Sequence, residues 1–223
     1  MRVGQDLSEQ YEQKMGVPQG GVLSCTLFSI AINTVVEVIR KSFGVTYSLY
    51  VDDKRISFAA EDYAKAVDKI QKVLDDLFQW SLQTGFRFSV DKTVWMVFHR
   101  KKPIVEPIQF TMDGTVLKEV DEKKFLGLIF DPKLDWIKHI QYVRRKCLRD
   151  VNILSVISRG NKETDAKILL RIYRALVRSR LDYGCQVYGT APVSYLLPLN
   201  PVHHKGLRKS LGAFRTSPVK SLC

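Results

Sequence analysis

Near position 132 the hydrophobic pattern of this chain changes period, and that change sets what the chain can fold into. Before Pro132, short runs rich in β-branched and aromatic residues alternate with Gly/Pro turns and two helical stretches. After it, apolar residues recur at steps of three and four. A mixed part followed by a helical part is an α+β arrangement. The chain therefore divides into a mixed region over 1–131 and a helical region over 132–223.

Within the first region, 1–15 read as an irregular or extended lead-in, and "GVPQGG" (16–21) is a turn cluster. Leu23, Leu27, Ile30, Val35 and Val38 predict a mostly buried helix over about 23–41, stopped at Gly44. Two strands are expected at 45–51 and 55–59. Tyr63, Val67, Ile70, Leu74, Leu77 and Phe78 mark the clearest amphipathic helix, over 61–84. Glu61 and Asp62 favour its start and Gly85 ends it. Further strands are expected at 87–89, 93–98 and 124–130, with "MDGT" (112–115) as a hairpin turn between the last two.

In the second region Asp135 caps a predicted helix that puts Ile140, Val143, Cys147, Val151 and Leu154 on one face. Thr164 caps a second, over about 165–181, whose Lys167, Arg171, Arg174 and Arg178 form one cationic stripe. A third helix, about 200–213, carries Lys205, Arg208 and Lys209. His203 and His204 read as surface residues, since no ligand set surrounds them.

The formal charge of +12 is lopsided. Residues 1–98 carry 11 Lys and Arg against 12 Asp and Glu, whereas residues 99–223 carry 24 against 11. The basic excess lies wholly in the second part and points to a polyanionic partner, nucleic acid before an anionic membrane. Four cysteines with no C-x-x-C pair suggest neither a zinc site nor a disulfide framework, which fits a reducing, intracellular setting, nuclear or cytoplasmic. The polar start carries no signal-peptide pattern, and no apolar run is long enough to cross a bilayer.

One stretch asks for chemistry. In "SLYVDDKRISF" (48–58) two carboxylates, Asp52 and Asp53, stand at the bend between two strands. Side by side in a poorly solvated site they repel unless a cation intervenes. Mg²⁺ takes carboxylate oxygens and keeps waters that substrate phosphates replace. By itself the doublet reads more readily as an exposed turn, where Asp is common. Lys54 either pairs with Asp53 or points to solvent.

The wider context narrows this. "GVPQGG" (16–21), "YVDD" (50–53), "FSVDKT" (88–93), "KFLGLIFDPKLDW" (124–136), "RLDYGCQVYG" (180–189) and "LNPVHHKGLRKSLGAFRTSPV" (199–219) follow in order. Together, over essentially the whole chain, they resemble the reverse transcriptases of non-LTR retrotransposons of the arthropod type. The resemblance implies a partial right-hand polymerase palm, of antiparallel strands plus helices, followed by an all-helical basic thumb. It implies an RNA-directed DNA polymerase fragment of a mobile element, working on an RNA template, a DNA primer and dNTPs with two Mg²⁺ ions.

By the same resemblance Asp52 and Asp53 are catalytic metal ligands. Pro18, Gln19, Gly20, Tyr50 and Lys92 meet the template and the incoming nucleotide. Phe125, Leu126 and Gly127 grip the primer end. Lys167, Arg171, Arg174 and Arg178 are placed to track nucleic-acid phosphates. The family's third carboxylate lies upstream of its "PQG" loop, and the fingers and endonuclease lie outside the matched motifs. The chain alone is therefore expected to make no DNA. The alternative is a catalytically dead remnant that only binds nucleic acid.

Overall fold

The computed structural model describes residues 2–3, 6–7, 16–18, 20–99, 108–160, 165–218 and 221. The chain packs as two units, Met1–Val94 with Val105–Lys118, and Trp95–Ile104 with Glu119–Cys223. The first holds β1 (Arg2–Val3), β2 (Asp6–Leu7), α1 (Ser24–Arg40), β3 (Thr46–Tyr50), β4 (Asp53–Ser57), α2 (Tyr63–Thr84) and a 3-10 turn, Val90–Lys92. The chain passes between the units within β5 (Val94–Trp95) and, after β6 (Thr111–Met112) and β7 (Thr115–Val116), within β8 (Lys118–Glu119). The second unit continues with β9 (Lys123–Phe125), β10 (Leu128–Phe130), α3 (Ile137–Gly160), α4 (Ala166–Tyr173), α5 (Ser179–Asp182), α6 (Cys185–Tyr188), α7 (Val193–Leu196) and α8 (Asn200–Ser210). The pairs β1–β2, β3–β4, β6–β7 and β9–β10 are antiparallel.

Helix α2 forms where its period predicts. The Asp62 carboxylate accepts from the Ala64 N–H at 3.0 Å, and Gly85 takes the left-handed conformation at the C-cap. Its Val73, Leu74, Leu77 and Trp80 are buried, as are Ile32, Val35, Val36 and Ile39 of α1, on which it packs. Each of these large apolar side chains removed from water stabilises the first unit by roughly 1.5–3 kcal/mol. The Trp80 indole N–H donates to Thr34 Oγ1 at 3.1 Å. The Gln71 carboxamide pairs with the Thr111 backbone in both directions, at 2.9 and 3.0 Å, and fastens the β6–β7 hairpin to α2.

The buried face of α1 is only half of its apolar surface. Leu23, Leu27 and Ile30, expected inside, are exposed, because α2 covers the side that carries Ile32, Val35, Val36 and Ile39.

The second unit has one continuous core of Trp136, Ile140, Val143, Cys147, Val151 and Leu154 from 136–154, with Leu169, Tyr173, Val177, Tyr188, Val202 and Leu207 closing over them. Asp135 caps α3 as predicted, accepting from the Ile137 N–H at 3.0 Å. Asp131 does more. Its buried carboxylate accepts from the N–H groups of Lys133, Asp135 and Trp136 at 3.1, 3.3 and 3.1 Å. It thereby holds a loop in which Leu134 and Trp136 both have positive φ, a conformation that bulky residues avoid. Gly206 lets α8 cross closely, since a Cβ there would lie 2.7 Å from the Tyr173 ring.

Several expected elements differ. Residues 87–89 form no strand, and 93–98 contribute only β5. The expected strand at 124–130 is the hairpin β9–β10, turned at Leu126–Gly127. The "MDGT" turn joins the local pair β6–β7. The helix expected over 165–181 is interrupted by a π-helical segment, Arg174–Arg178. Its cap is Asp165, whose carboxylate accepts from the Lys167 N–H at 2.9 Å; the predicted cap Thr164 lies outside the described residues. The β9–β10 hairpin packs with α3 in the second unit, whereas a division at Pro132 groups it with 1–131. Among the described residues no helix is long and apolar enough to cross a membrane.

Candidate active site

The β3–β4 hairpin pairs Thr46 with Ser57, Tyr47 with Ile56, Ser48 with Arg55, Leu49 with Lys54 and Tyr50 with Asp53. That register leaves Val51 and Asp52 as a two-residue loop. Val51 has φ 54°, a left-handed value that a β-branched residue avoids. Such strain persists where the surroundings demand one particular turn, and it concentrates at working sites.

Strand alternation then assigns the faces. Tyr47, Leu49, Lys54 and Ile56 share the partly buried face, and Tyr50 and Asp53 share the other with Ser48 and Arg55. Asp52 and Asp53 are both exposed. Lys54, one residue on, is drawn inward. Its Nζ lies 5.1 Å from the centroid of the Phe88 ring and 3.5 Å from the Asp52 carbonyl oxygen. Burial lowers its pKa, against the opposing pull of the Asp52 and Asp53 charges. Among the described residues neither carboxylate of the doublet is in an ion pair. Lys54 thus neither pairs with Asp53 nor points into solvent.

The "GVPQGG" loop leads directly into α1. Gly20 has φ 86°, the Gly21 N–H donates to the Pro18 carbonyl at 3.2 Å, and Ser24 Oγ donates to the same oxygen at 2.5 Å. A Cβ on Gly21 would meet Ser24 Oγ at 2.5 Å, so a side chain there would push that hydroxyl off the Pro18 carbonyl. The first turn of α1 has no side-chain cap and no acidic residue. Its N–H groups form the positive end of the helix dipole. Pro18 and Gly20 are exposed; Gln19 lies outside the described residues. Tyr50 is exposed beside Asp53, and Lys92 is exposed at the end of the 3-10 turn.

In the second unit Phe125, Leu126 and Gly127 stand at the β9–β10 turn. Leu126 and Gly127 both have positive φ, as a type I′ hairpin requires. Tyr183, which the sequence reading did not single out, donates its hydroxyl to the Leu126 carbonyl at 2.7 Å and lies against Gly127, where a Cβ would meet its ring at 2.8 Å. The signal was the place of Tyr183 inside "RLDYG". Lys167, Arg171 and Arg174 are exposed on α4 and the segment that follows it. Arg178 is tied to Asp182, Nε to Oδ2, at 2.8 Å, after the wider π turn has shifted its angular position. His203 is half-buried, and its Nδ1 is hydrogen-bonded to the Tyr173 hydroxyl, so it joins α8 to α4 and is not a surface residue.

The donor chemistry suits a hard divalent cation. Two oxygen-donor carboxylates project from the turn, and among the described residues neither is in an ion pair. Among the described residues no three His, Cys, Asp or Glu side chains converge, so a divalent cation at the doublet would draw at most two carboxylate ligands from them and the rest from phosphate or water.

A family model described as reverse transcriptase (RNA-dependent DNA polymerase) matches residues 2–130. The chain belongs to the reverse transcriptase family. The RNA-directed DNA polymerase from mobile element jockey of Drosophila melanogaster is 26% identical over 204 residues, covering 89% of this chain and 22% of that protein. Its counterpart in Drosophila funebris is 30% identical over 207 residues, with coverage of 89% and 22%. The probable RNA-directed DNA polymerase from transposon BS of Drosophila melanogaster is 23% identical over 217 residues, 93% of this chain and 23% of that protein. These relatives place the chain among proteins of non-LTR mobile elements, as its motifs imply. It spans under a quarter of their length. No solved structure matches it.

Proposed function

We propose that this chain is the palm-and-thumb portion of an RNA-directed DNA polymerase of a mobile element. The observation that carries the reading is the Asp52–Asp53 doublet, exposed and without an ion pair among the described residues, on a two-residue turn strained at Val51. Asp52 and Asp53 would hold Mg²⁺ together with phosphate oxygens and water. When bound, such ions lower the pKa of a primer 3′-hydroxyl and neutralise charge on the departing pyrophosphate. The protein's own part is positional. The rigid turn fixes the carboxylates, the Pro18–Gly21 loop brings backbone and the start of α1 toward phosphate, and Lys92 offers a cation to the triphosphate. The β9–β10 turn, pinned by Tyr183, serves as the primer grip, and Lys167, Arg171 and Arg174 follow the backbone of an RNA–DNA duplex.

A second reading, a remnant that holds nucleic acid without chemistry, is favoured by one observation: only two carboxylates come together among the described residues. One experiment separates the readings. The whole chain is titrated with a primed RNA–DNA duplex, and Mn²⁺ binding is followed by EPR with duplex and dNTP present. The polymerase reading expects duplex binding that weakens with salt, and Mn²⁺ uptake that is lost in Asp52→Asn. Duplex binding with Mn²⁺ uptake indifferent to Asp52 leaves the remnant. No duplex binding at low salt overturns both.

A further inference from the structure

Tyr142 lies on α3, and two lysines converge on it. Lys124 Nζ, from β9, donates to the phenolic oxygen at 2.9 Å and lies 5.0 Å from the ring centroid. Lys146 Nζ, one turn along α3, lies 4.7 Å from the same centroid. The imidazole of His139, 6.3 Å away centroid to centroid, is held toward its neutral form by burial and then by the Lys124 charge. Hydrogen bonds from Lys124 and Lys146 lower the Tyr142 phenol to about 8.

Among the described residues no ion pair balances these two lysines. The ion pairs among the described residues engage Lys65, Lys138, Arg178 and Arg180, and neither Lys124 nor Lys146. Two ammonium groups that converge on one phenol ring repel one another. Cation–π attraction at an exposed ring offsets that repulsion only weakly. The arrangement is therefore best satisfied by an anion that bridges both lysines. All three side chains reach solvent: Lys124 is exposed, and Tyr142 and Lys146 are partly so. Two ammonium groups and a hydroxyl offer donors from three directions, which suits the tetrahedral oxygens of a phosphate.

We infer that Lys124, Tyr142 and Lys146 form a phosphate-binding clasp. In the empty clasp the phenol oxygen holds the two ammonium groups together; a bound phosphate takes over as their acceptor, and the phenol turns donor. The phosphate is either a diester of a nucleic-acid strand, which rests on the function proposed above, or a free phosphate or pyrophosphate, which does not.

Two titrations of the whole chain test this. The first follows the ultraviolet absorbance of the Tyr142 phenolate near pH 8, taken as wild type minus Tyr142→Phe, while inorganic phosphate replaces chloride at constant ionic strength. Phosphate in the clasp raises the phenol's pKa, so the phenolate signal falls. A signal that phosphate does not move overturns the clasp. The second compares duplex binding by wild type and the Lys124→Gln, Lys146→Gln double variant. Each lost phosphate contact weakens binding about eightfold at roughly 0.1 M salt, because log K changes by about 0.9 per tenfold change in salt for each contact. A phosphate response with undiminished duplex binding assigns the clasp to free phosphate and rejects the nucleic-acid source. Should the wild-type chain bind no duplex, the proposed function fails, while the phosphate titration still decides the clasp.

Discussion

Lys54 stands one residue from a carboxylate pair and does not neutralise it. The reason is alternation: with Tyr50 paired to Asp53, the next residue of the strand must face the opposite way, toward Phe88. Its charge still acts through space, as the opposing pulls of Asp52 and Asp53 on its pKa record. A cation of the protein near the doublet competes with any metal ion bound there. Lys54→Met keeps the length and the packing over Phe88 and removes that charge. We expect Mn²⁺ affinity, measured by EPR titration, to rise about fivefold, the effect of about 1 kcal/mol for one unit charge in a near-aqueous setting. Unchanged affinity would show that Lys54 lies electrically outside the site. The same variant is expected to unfold in urea no earlier than wild type, since a half-buried ammonium gives way to an apolar chain of similar shape.

The β9–β10 hairpin is held to α3 by a histidine. His139 is buried, and its Nδ1 accepts from the Ile129 N–H at 3.3 Å, which puts the proton on Nε2. Nε2 has no hydrogen-bond partner among the described residues, and the rings of Trp136, Tyr142 and Tyr188 surround the imidazole. Burial first, then Lys124, lowers its pKa. The folded state therefore resists the proton that the unfolded chain takes up below about 6.5. Stability is unaffected above that pH. It falls, by at most about 1.4 kcal/mol per pH unit, as the pH drops from the unfolded pKa toward the folded one. Urea unfolding of His139→Gln from pH 7.5 to 5 is expected to show a flatter profile than wild type; an equal slope would assign the acid loss elsewhere. His203, lowered mainly by its burial and next by Arg178, titrates with the same sign, so the comparison is made in a His203→Gln background. Elements of this kind were unevenly legible. The period of α2 and the five buried positions of α3 follow from spacing, whereas Asp62, read only as favouring the start of α2 through the dipole, is its N-cap. The β9–β10 turn does not, because its first left-handed residue is Leu126, where turn chemistry leads one to look for Asn or Gly. Nor does the π segment, since Arg174–Arg178 carries no residue that forces a wider turn. The exposed Leu23, Leu27 and Ile30 teach the complementary point: spacing tells which side chains are apolar, and only packing tells which of them are covered.

Across the whole molecule the charge separates with chain position: the acidic doublet stands in a part of net −1, and the cations collect in a part of net +13. Under the proposed function, the second part would hold a polyanion whatever the nucleotide sequence, and would release counterions as it does so. The candidate catalytic turn was legible from two adjacent letters and their neighbours. The cationic surface was legible as a stripe but not in its detail, because Arg178 is tied to Asp182 four residues on. That difference yields a graded expectation. Replacing Lys167, Arg171 and Arg174 together by Gln removes three cations that have no ion-pair partner among the described residues. If each neutralises one phosphate, the slope of log K against log salt becomes shallower by about 2.7, at about 0.9 per contact. Arg178→Gln changes the slope by less, because that guanidinium already spends its charge on Asp182, and the freed carboxylate adds a repulsion that weakens binding at every salt concentration alike. Anisotropy titrations of an RNA–DNA duplex over a potassium chloride series read both quantities at once. A triple variant whose slope matches wild type would move the nucleic-acid track off α4, and the clasp around Tyr142 would then be the next surface to follow.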